Sequence, residues 1–175
     1  MQPANLPTGS EQRQVELLVE LACALNRRCG DRLTPDGEFE KYLGFCVDRG
    51  ALESAISAPL QIVSNRPRYE SVFDRGAGLT VHLAANHPFG DGNKRTALMV
   101  GLTYLRMNSI YVAEPEPPNS KTPAGEAGVS LMRYIVLNTH DLDMVVAHTS
   151  KVFQQWAEID SRAKNYRGPN IRPTT

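Results

Sequence analysis

The side chains best suited to chemistry lie together in one short stretch, residues 86–100, which reads NHPFGDGNKRTALMV. It contains a histidine, His87, and an aspartate, Asp91, followed by two adjacent cations, Lys94 and Arg95. Histidine is the side chain whose ordinary pKa best suits a general base near neutral pH. A base, a carboxylate and a pair of cations indicate a site that moves a proton beside a charged ligand.

The two cations stand at the start of a predicted helix, residues 94–107, because mostly apolar residues follow them from Ala97 onwards. A helix N-terminus disfavours a cation by roughly 0.3–1 kcal/mol. An anion would reverse this penalty, since the free N–H groups of the first turn attract negative charge. Gly90 and Gly92 allow the backbone to approach such a ligand closely. The stretch therefore predicts a phosphate cradle, although its spacing is not that of a nucleotide P-loop.

Asp91 would repel a phosphate unless a divalent cation lay between them, and Mg²⁺ typically binds one or two carboxylates together with phosphate oxygens. We expect His87 to act as the general base and Asn93 to cap the helix or bind phosphate. Phe89 alternates with these polar residues and is predicted to anchor the loop in the core. A base, a metal ligand and a cationic clamp are what phosphoryl or nucleotidyl transfer requires.

Helical spacing of apolar residues dominates the rest of the chain, which predicts an all-α bundle. The helix after the motif is apolar nearly all round and should lie at the centre of the bundle. The predicted helices cover residues 10–28, 38–47, 50–57, 69–86, 94–107, 129–138 and 142–156.

A different pattern appears at residues 59–72, where Leu60, Ile62 and Ser64 alternate with Gln61 and Val63. Alternation of this kind, followed by an Arg-Pro pair, predicts a short extended or hairpin segment rather than a helix. We call residues 60–68 the flap.

The composition limits the classes of partner and the domain organisation that the chain can have. The 175 residues are 41% hydrophobic, and 19 basic residues balance 19 acidic ones, so the formal net charge is zero. A neutral chain argues against broad nucleic-acid or membrane binding. We expect one domain over residues 10–160, with flexible ends at residues 1–9 and 161–175. The three cysteines are expected to be reduced and mostly buried. We also expect a cytosolic protein, because the N-terminal residues do not resemble a signal peptide.

The motif HPFGDGNKRTAL resembles the signature of the Fic/Doc family and is most similar to its Doc (death-on-curing) branch. Lys94 stands where Fic enzymes have a glycine, and Leu98 stands where they have a second arginine; both match Doc. Pro88 and Gly92 instead match Fic. The segments 48–59 and 104–112 also resemble the Doc branch.

This resemblance implies an all-α Fic/Doc-like bundle and a toxin of a toxin–antitoxin pair. Such toxins are similar to kinases that use ATP and Mg²⁺ to phosphorylate a threonine of elongation factor Tu and block translation. By position, His87 takes the family's base role and Asp91 its metal role. Asn93, Lys94 and Arg95, with the two motif glycines, take the phosphate-binding roles.

In this family the flap aligns the backbone of the target protein. Many Fic proteins also carry an inhibitory motif, [ST]xxxE[GN], which this sequence lacks, so the resemblance implies inhibition by a separate antitoxin. Two other functions stay open. One is a Fic-type transferase of AMP or another nucleotide, favoured by Pro88 and Gly92. The other is a non-catalytic module that binds a phosphate or a partner. The sequence does not predict the oligomeric state.

Overall fold

A computed structural model of the chain describes residues 9–33, 37–115 and 125–165. The described residues contain six α-helices, α1 (Gly9–Arg27), α2 (Arg49–Ser57), α3 (Val72–Asn86), α4 (Asn93–Met107), α5 (Glu126–Leu137) and α6 (Leu142–Asn165). Two antiparallel hairpins complete the fold, one from β1 (Arg32–Leu33) and β2 (Phe39–Glu40) and one from β3 (Ile62–Val63) and β4 (Arg66–Pro67). The predicted all-α bundle with a short β-flap is confirmed.

The more central helix is α3, which packs against α2, α4, α5 and α6 and is buried continuously from Gly76 to Ala84, whereas α4, which was expected at the centre, has Met99 47% exposed. Helix α4 is its main partner. It packs against α1, α3 and α5, and α3 also packs along α6. Its fully buried side chains include Ala97, Val100 and Leu105. In the described ranges, none of the helices combines the length and the apolarity that a membrane crossing requires.

The crossing of α3 and α4 is so close that only glycine fits at its centre. A Cβ on Gly101 of α4 would lie 2.0 Å from Thr80 Oγ1 and 2.7 Å from the carbonyl oxygen of Gly76, both on α3. Gly76 also serves this close packing, because a Cβ at its position would lie 3.0 Å from the side chain of Leu105 of α4. Gly78 does the same on another face, where a Cβ would approach the ring of Tyr69 to 2.8 Å.

We expect Gly101→Ala to lower the free energy of unfolding by about 1–3 kcal/mol, because the added methyl group would force the two helices apart. Gly50→Ala is the matched control, since its new Cβ would meet only the Asp48 carboxylate at 3.5 Å. Alanine favours a helix over glycine by up to about 1 kcal/mol, so the control should be neutral or stabilising. Urea denaturation followed by circular dichroism measures both. Equal stability of the two variants would contradict a tight crossing.

The helix predicted for residues 38–47 is wrong. Residues 39 and 40 form β2, which pairs with β1 in the register Arg32↔Glu40. The chain then runs extended, and Gly44 takes a φ of +94° that a helix does not allow. Backbone groups of this segment pair with the motif loop rather than with each other, so a tertiary contact replaces local helix formation. The structure also overturns the expectation that the cysteines are mostly buried, because Cys46 is exposed and only Cys23 is buried.

Several predicted boundaries shift. Helix α3 begins at Val72, capped by the Ser71 hydroxyl, and not at residue 69. Helix α6 continues to Asn165, beyond its predicted end at residue 156, and the flexibility of residues 161–175 stays a prediction. Helix α5 begins at Glu126 and not at residue 129. Residues 1–8 and 166–175, predicted to be flexible, lie outside the described residues, as do residues 116–124.

The flap forms the predicted hairpin, with Ser64 and Asn65 at positive φ in its two-residue turn. Leu60 is not part of it, because Leu60 ends a 3-10 turn that follows α2. Beyond β4, the hydroxyl group of Tyr69 donates to the carboxylate of Asp143 at 2.9 Å and lies 3.4 Å from Nε2 of His82. The base of the flap is therefore attached to α3 and α6 by a partly buried polar cluster.

Burial makes His82 a pH-sensitive residue within this cluster. Its side chain is 5% exposed. Burial, helped by the charge of Arg68, lowers its pKa from 6.5 to about 4, and Asp143 opposes this only weakly. The unfolded chain therefore binds a proton on this histidine at a higher pH than the folded chain does. Its contribution to stability is complete above pH 6.5 and is lost as the pH falls towards 4.

We expect the free energy of unfolding to fall between pH 6.5 and pH 5, because protonation of His82 favours the unfolded chain. The full loss across the window, down to about pH 4, is on the order of 3 kcal/mol. His82→Gln should flatten this part of the profile. His148→Gln, at an exposed histidine, should leave it unchanged. Denaturation at several pH values measures the free energy of unfolding of each variant. If its dependence on pH in His82→Gln matched that of the parent, the assignment to His82 would be contradicted.

Candidate functional site

The motif loop, residues 87–93, connects the two helices that cross at Gly101. Helix α3 ends at Asn86, and His87 follows it in the left-handed conformation with φ 47°. The imidazole of His87 is exposed to solvent. A left-handed residue directly after a helix ends it sharply, so the predicted base is presented at the surface rather than packed into the bundle.

The loop is paired with residues 42–48, which we call the strap. The N–H of Gly90 donates to the carbonyl oxygen of Cys46 at 2.9 Å, and the N–H of Asp48 donates to the carbonyl oxygen of Pro88 at 2.8 Å. Phe89, between them, is 5% exposed and forms a bridge with Val47. The structure thus places Phe89 in the core, where a loop anchor belongs.

The side chain of Asn93 closes the loop on itself. Its Oδ1 accepts from the N–H of Phe89 at 2.9 Å, and its Nδ2 donates to the carbonyl oxygen of Phe89 at 2.6 Å. The predicted helix-capping role is wrong, because Gly92 is the N-cap residue and no side chain caps α4. Asn93 therefore holds the loop while the first turn of α4 stays open to a ligand.

Gly92 is required for a reason other than ligand approach. Its φ is +74°, and a Cβ at this position would lie 3.0 Å from Nδ2 of Asn26 and 3.0 Å from Sγ of Cys29. The loop thus rests directly on the end of α1. Gly90 is less constrained, since its nearest neighbour would be Cβ of Cys46 at 3.3 Å.

The carboxylate of Asp91 is held by two backbone N–H groups, from Gly92 to Oδ1 at 2.5 Å and from Leu43 to Oδ2 at 3.1 Å. Partial burial alone would raise the pKa of Asp91, but these hydrogen bonds and the charges of Arg95 and Arg32 outweigh it and lower the pKa below its ordinary value. Asp91 is therefore an anion at neutral pH, as a metal ligand must be.

A cavity of about 190 Å³ lies over the open first turn of α4. Its lining residues are Arg32, His87, Gly90, Asp91, Gly92, Asn93, Lys94 and Arg95. The structure therefore brings together all of the predicted motif residues except the anchor Phe89. Three cations and one carboxylate give the cavity a net positive charge that suits an anion.

Arg95 supports this interpretation. One terminal nitrogen, Nη1, donates to the carbonyl oxygen of Gly30 at 2.7 Å. Its Nε is buried and has no hydrogen-bond partner among the described residues. A buried donor without a partner is costly, so Arg95 is incompletely satisfied in the ligand-free protein, while the residue lines the cavity beside Lys94. The residues present therefore fit a phosphate group.

A magnesium ion fits only together with such a phosphate. Within the described parts of the chain, no group of three or more histidine, cysteine, aspartate or glutamate residues could hold a metal. Asp91 is the one carboxylate that lines the cavity. Mg²⁺ is commonly bound in this way, by one carboxylate, water and the phosphates of a nucleotide.

The flap residues lie at a different cavity. Gln61 and Val63 line a groove of about 680 Å³ together with Tyr69 and Asp74, and no residue of the motif loop lines this groove. Ile62 and Val63 are 46% and 55% exposed. The flap hairpin is therefore exposed at the surface, and the groove that it lines is separate from the motif cavity.

Sequence reasoning missed the residues that support the loop, among them Asn26 of α1, Cys29 just after α1 and Tyr42 of the strap. One signal for Asn26 was present. Leu18, Ala22 and Asn26 follow one another at four-residue intervals, and all three are fully buried. A polar residue on the apolar face of a helix needs a hydrogen-bond partner. This requirement marks Asn26 as a residue with a specific structural role.

We expect Lys94→Gln to raise the free energy of unfolding of the ligand-free protein by about 0.3–1 kcal/mol at low salt, because it removes a cation from a helix N-terminus. The gain should largely vanish in 1 M salt. Lys151→Gln, an exposed position inside α6, is the control and should change little. A loss of stability in Lys94→Gln would show that Lys94 is not strained in the free protein.

Comparison with known proteins gives an independent result. The family model described as the Fic/DOC family matches residues 16–105, which is half of the chain. A curated protein named Toxin Doc, from Mycolicibacterium smegmatis, is 38% identical over 66 residues, or 38% of this chain and 51% of that protein. The chain thus spans about half the length of this relative. The match to the family model shows that the chain belongs to the Fic/Doc family.

Proposed function

We propose that this protein is a Doc-like toxin that transfers the γ-phosphate of ATP to a serine or threonine hydroxyl of a target protein. One observation carries the proposal: the exposed His87 lines the same cation-rich cavity as the anionic Asp91 and the open first turn of α4. Elongation factor Tu is the candidate target, and a block of translation is the expected effect. A separate antitoxin is the expected inhibitor.

The transfer needs a base, a cationic clamp and a leaving group. The oxygen of the target hydroxyl attacks the γ-phosphorus while His87 takes its proton. The bond from the γ-phosphorus to the bridging oxygen breaks, and ADP leaves. Lys94, Arg95 and the N–H groups of α4 stabilise the charge on the phosphate oxygens. When bound, Mg²⁺ would neutralise further phosphate charge beside Asp91.

Two residues favour attack at the γ-phosphorus over attack at the α-phosphorus. The Fic arrangement uses a glycine and a second arginine to hold the terminal phosphates along the helix start. Here Lys94 places a bulky cation in that path. Leu98 has no donor for a phosphate, and its Cδ2 lies beside Gly128 of α5. A nucleotide in the opposite orientation, with its γ-phosphate towards His87, keeps its charge partners.

Purified protein should be incubated with elongation factor Tu, ATP and Mg²⁺, and in parallel with cell lysate and ATP labelled at the α- or the γ-phosphate. A mass increase of ~80 Da on the target is expected, since phosphoryl transfer adds one phosphate. An increase of ~329 Da would mean AMP transfer and would replace the kinase by the nucleotidyl transferase that Pro88 and Gly92 favour. No modification of any protein would favour a binding module.

We expect His87→Ala to lower the transfer rate by about 10²–10⁴-fold with only a small drop in melting temperature, because an exposed loop histidine supplies basicity rather than packing and alanine tolerates its left-handed backbone slightly less well. His140→Ala, at another exposed histidine, is the matched control and should retain the parental rate. Transfer assays and thermal melts of both variants test this. Near-parental transfer by His87→Ala would remove His87 from the mechanism.

A further inference from the structure

Asn26 lies beneath the motif loop with no solvent exposure. Its Nδ2 donates both to the backbone carbonyl oxygen of Asp91, at 2.8 Å, and to Oγ1 of Thr96, at 3.0 Å. Its Oδ1 accepts from the hydroxyl group of Tyr42 at 2.8 Å. Both donor positions and the acceptor of the amide are thus in use, so its orientation is fixed by the network.

Tyr42 connects this network to the other side of Asp91. Its backbone N–H donates to the carboxylate of Asp31 at 2.8 Å. The N–H of the next residue, Leu43, donates to Oδ2 of Asp91 at 3.1 Å. A closed ring results, which runs from the Asp91 carbonyl through Asn26 and Tyr42 to Leu43 and back to the Asp91 carboxylate.

Side-chain packing does not hold this part of the strap. Leu43 is 83% exposed, and Gly44 follows it at a φ of +94°. The position of the Leu43 N–H therefore depends on its neighbour Tyr42, whose hydroxyl group is bonded to a fully buried amide. Loss of that hydroxyl would leave the segment held only by the Tyr42 N–H bond to Asp31 and by the bond between Gly90 and Cys46, and would loosen the part that orients the Asp91 carboxylate.

We propose that Asn26 and Tyr42 are positioning residues that fix the backbone and the carboxylate of Asp91 for a divalent cation brought by the nucleotide. The inference rests on the proposed function, because it assumes that Asp91 faces a metal–phosphate group. Partners that orient a metal ligand through a hydrogen bond typically change metal affinity by about 10–100-fold. Neither residue belongs to the motif, and neither lines the cavity.

The test separates positioning from general loosening by measuring the affinity for ATP twice, with Mg²⁺ and with EDTA. Calorimetry on the full chain gives the two dissociation constants, and their ratio reports the metal-dependent part of binding. Asp91→Asn provides the ratio expected without the carboxylate. Tyr42→Phe removes one hydroxyl group, and Tyr134→Phe, between α5 and α6, makes the same chemical change away from the site.

We expect Tyr42→Phe to move the ratio towards that of Asp91→Asn, by up to about 10–100-fold, with the EDTA constant within about twofold of the parent. Asn26→Ala, which removes the donors and the acceptor without adding a charge, should act in the same direction. Tyr134→Phe should match the parent. The inference is overturned if Tyr42→Phe keeps the parental ratio, or if both of its constants change by the same factor.

The parent protein tests the proposed function separately. If the parent bound ATP equally well with Mg²⁺ and with EDTA, the metal role of Asp91 would be wrong, and the positioning role would fall with it. A parental Mg²⁺ effect that Asp91→Asn abolishes and Tyr42→Phe retains would overturn only the inference. Thermal melts show which variants are folded, and the milder Tyr42→Phe decides if Asn26→Ala does not fold.

Discussion

The close crossing of α3 and α4 is the constraint on which the site depends. With Gly101 of α4 against Gly76 and Thr80 of α3, the two helices approach more closely than any larger residue would allow. The motif loop must reverse the chain within that separation, and it does so with one left-handed residue at each side, His87 and Gly92. The exposed base and the open helix start are both products of this tight reversal.

The charges at the N-terminus of α4 destabilise the ligand-free protein. Its first turn has no side-chain cap and carries two cations, and the Nε of Arg95 is buried without a partner among the described residues. Features that disfavour the free fold at one place often mark a binding site. Here one anion at the first turn would offset both the two cations and the uncapped N–H groups, which is a stronger indication than either feature alone.

The sequence predicted the bundle, the flap hairpin and the motif residues that meet in one cavity, but it placed α4 rather than α3 at the centre. These features depend on local periodicity or on residues within one short stretch. It did not predict the strap, because the extended path of residues 42–48 is stabilised by hydrogen bonds to a loop more than 40 positions away. The role of Asn93 was missed for a related reason. Asparagine is a common helix-capping residue, so its type and position predict a cap. Only the geometry of the folded loop shows that the Asn93 side chain bonds the backbone of Phe89 instead.

The hydrogen bonds that hold the motif loop join distant parts of the chain. Asn26 and Asp91 are 65 positions apart, and Leu43 and Asp91 are 48 apart. Contacts of such long sequence separation form only after a large loop of chain has closed. During synthesis, α1 and the strap leave the ribosome before the motif they support. The site therefore assembles when α4 docks into the bundle, and any opening that detaches α1 removes the support of the loop along with the helix.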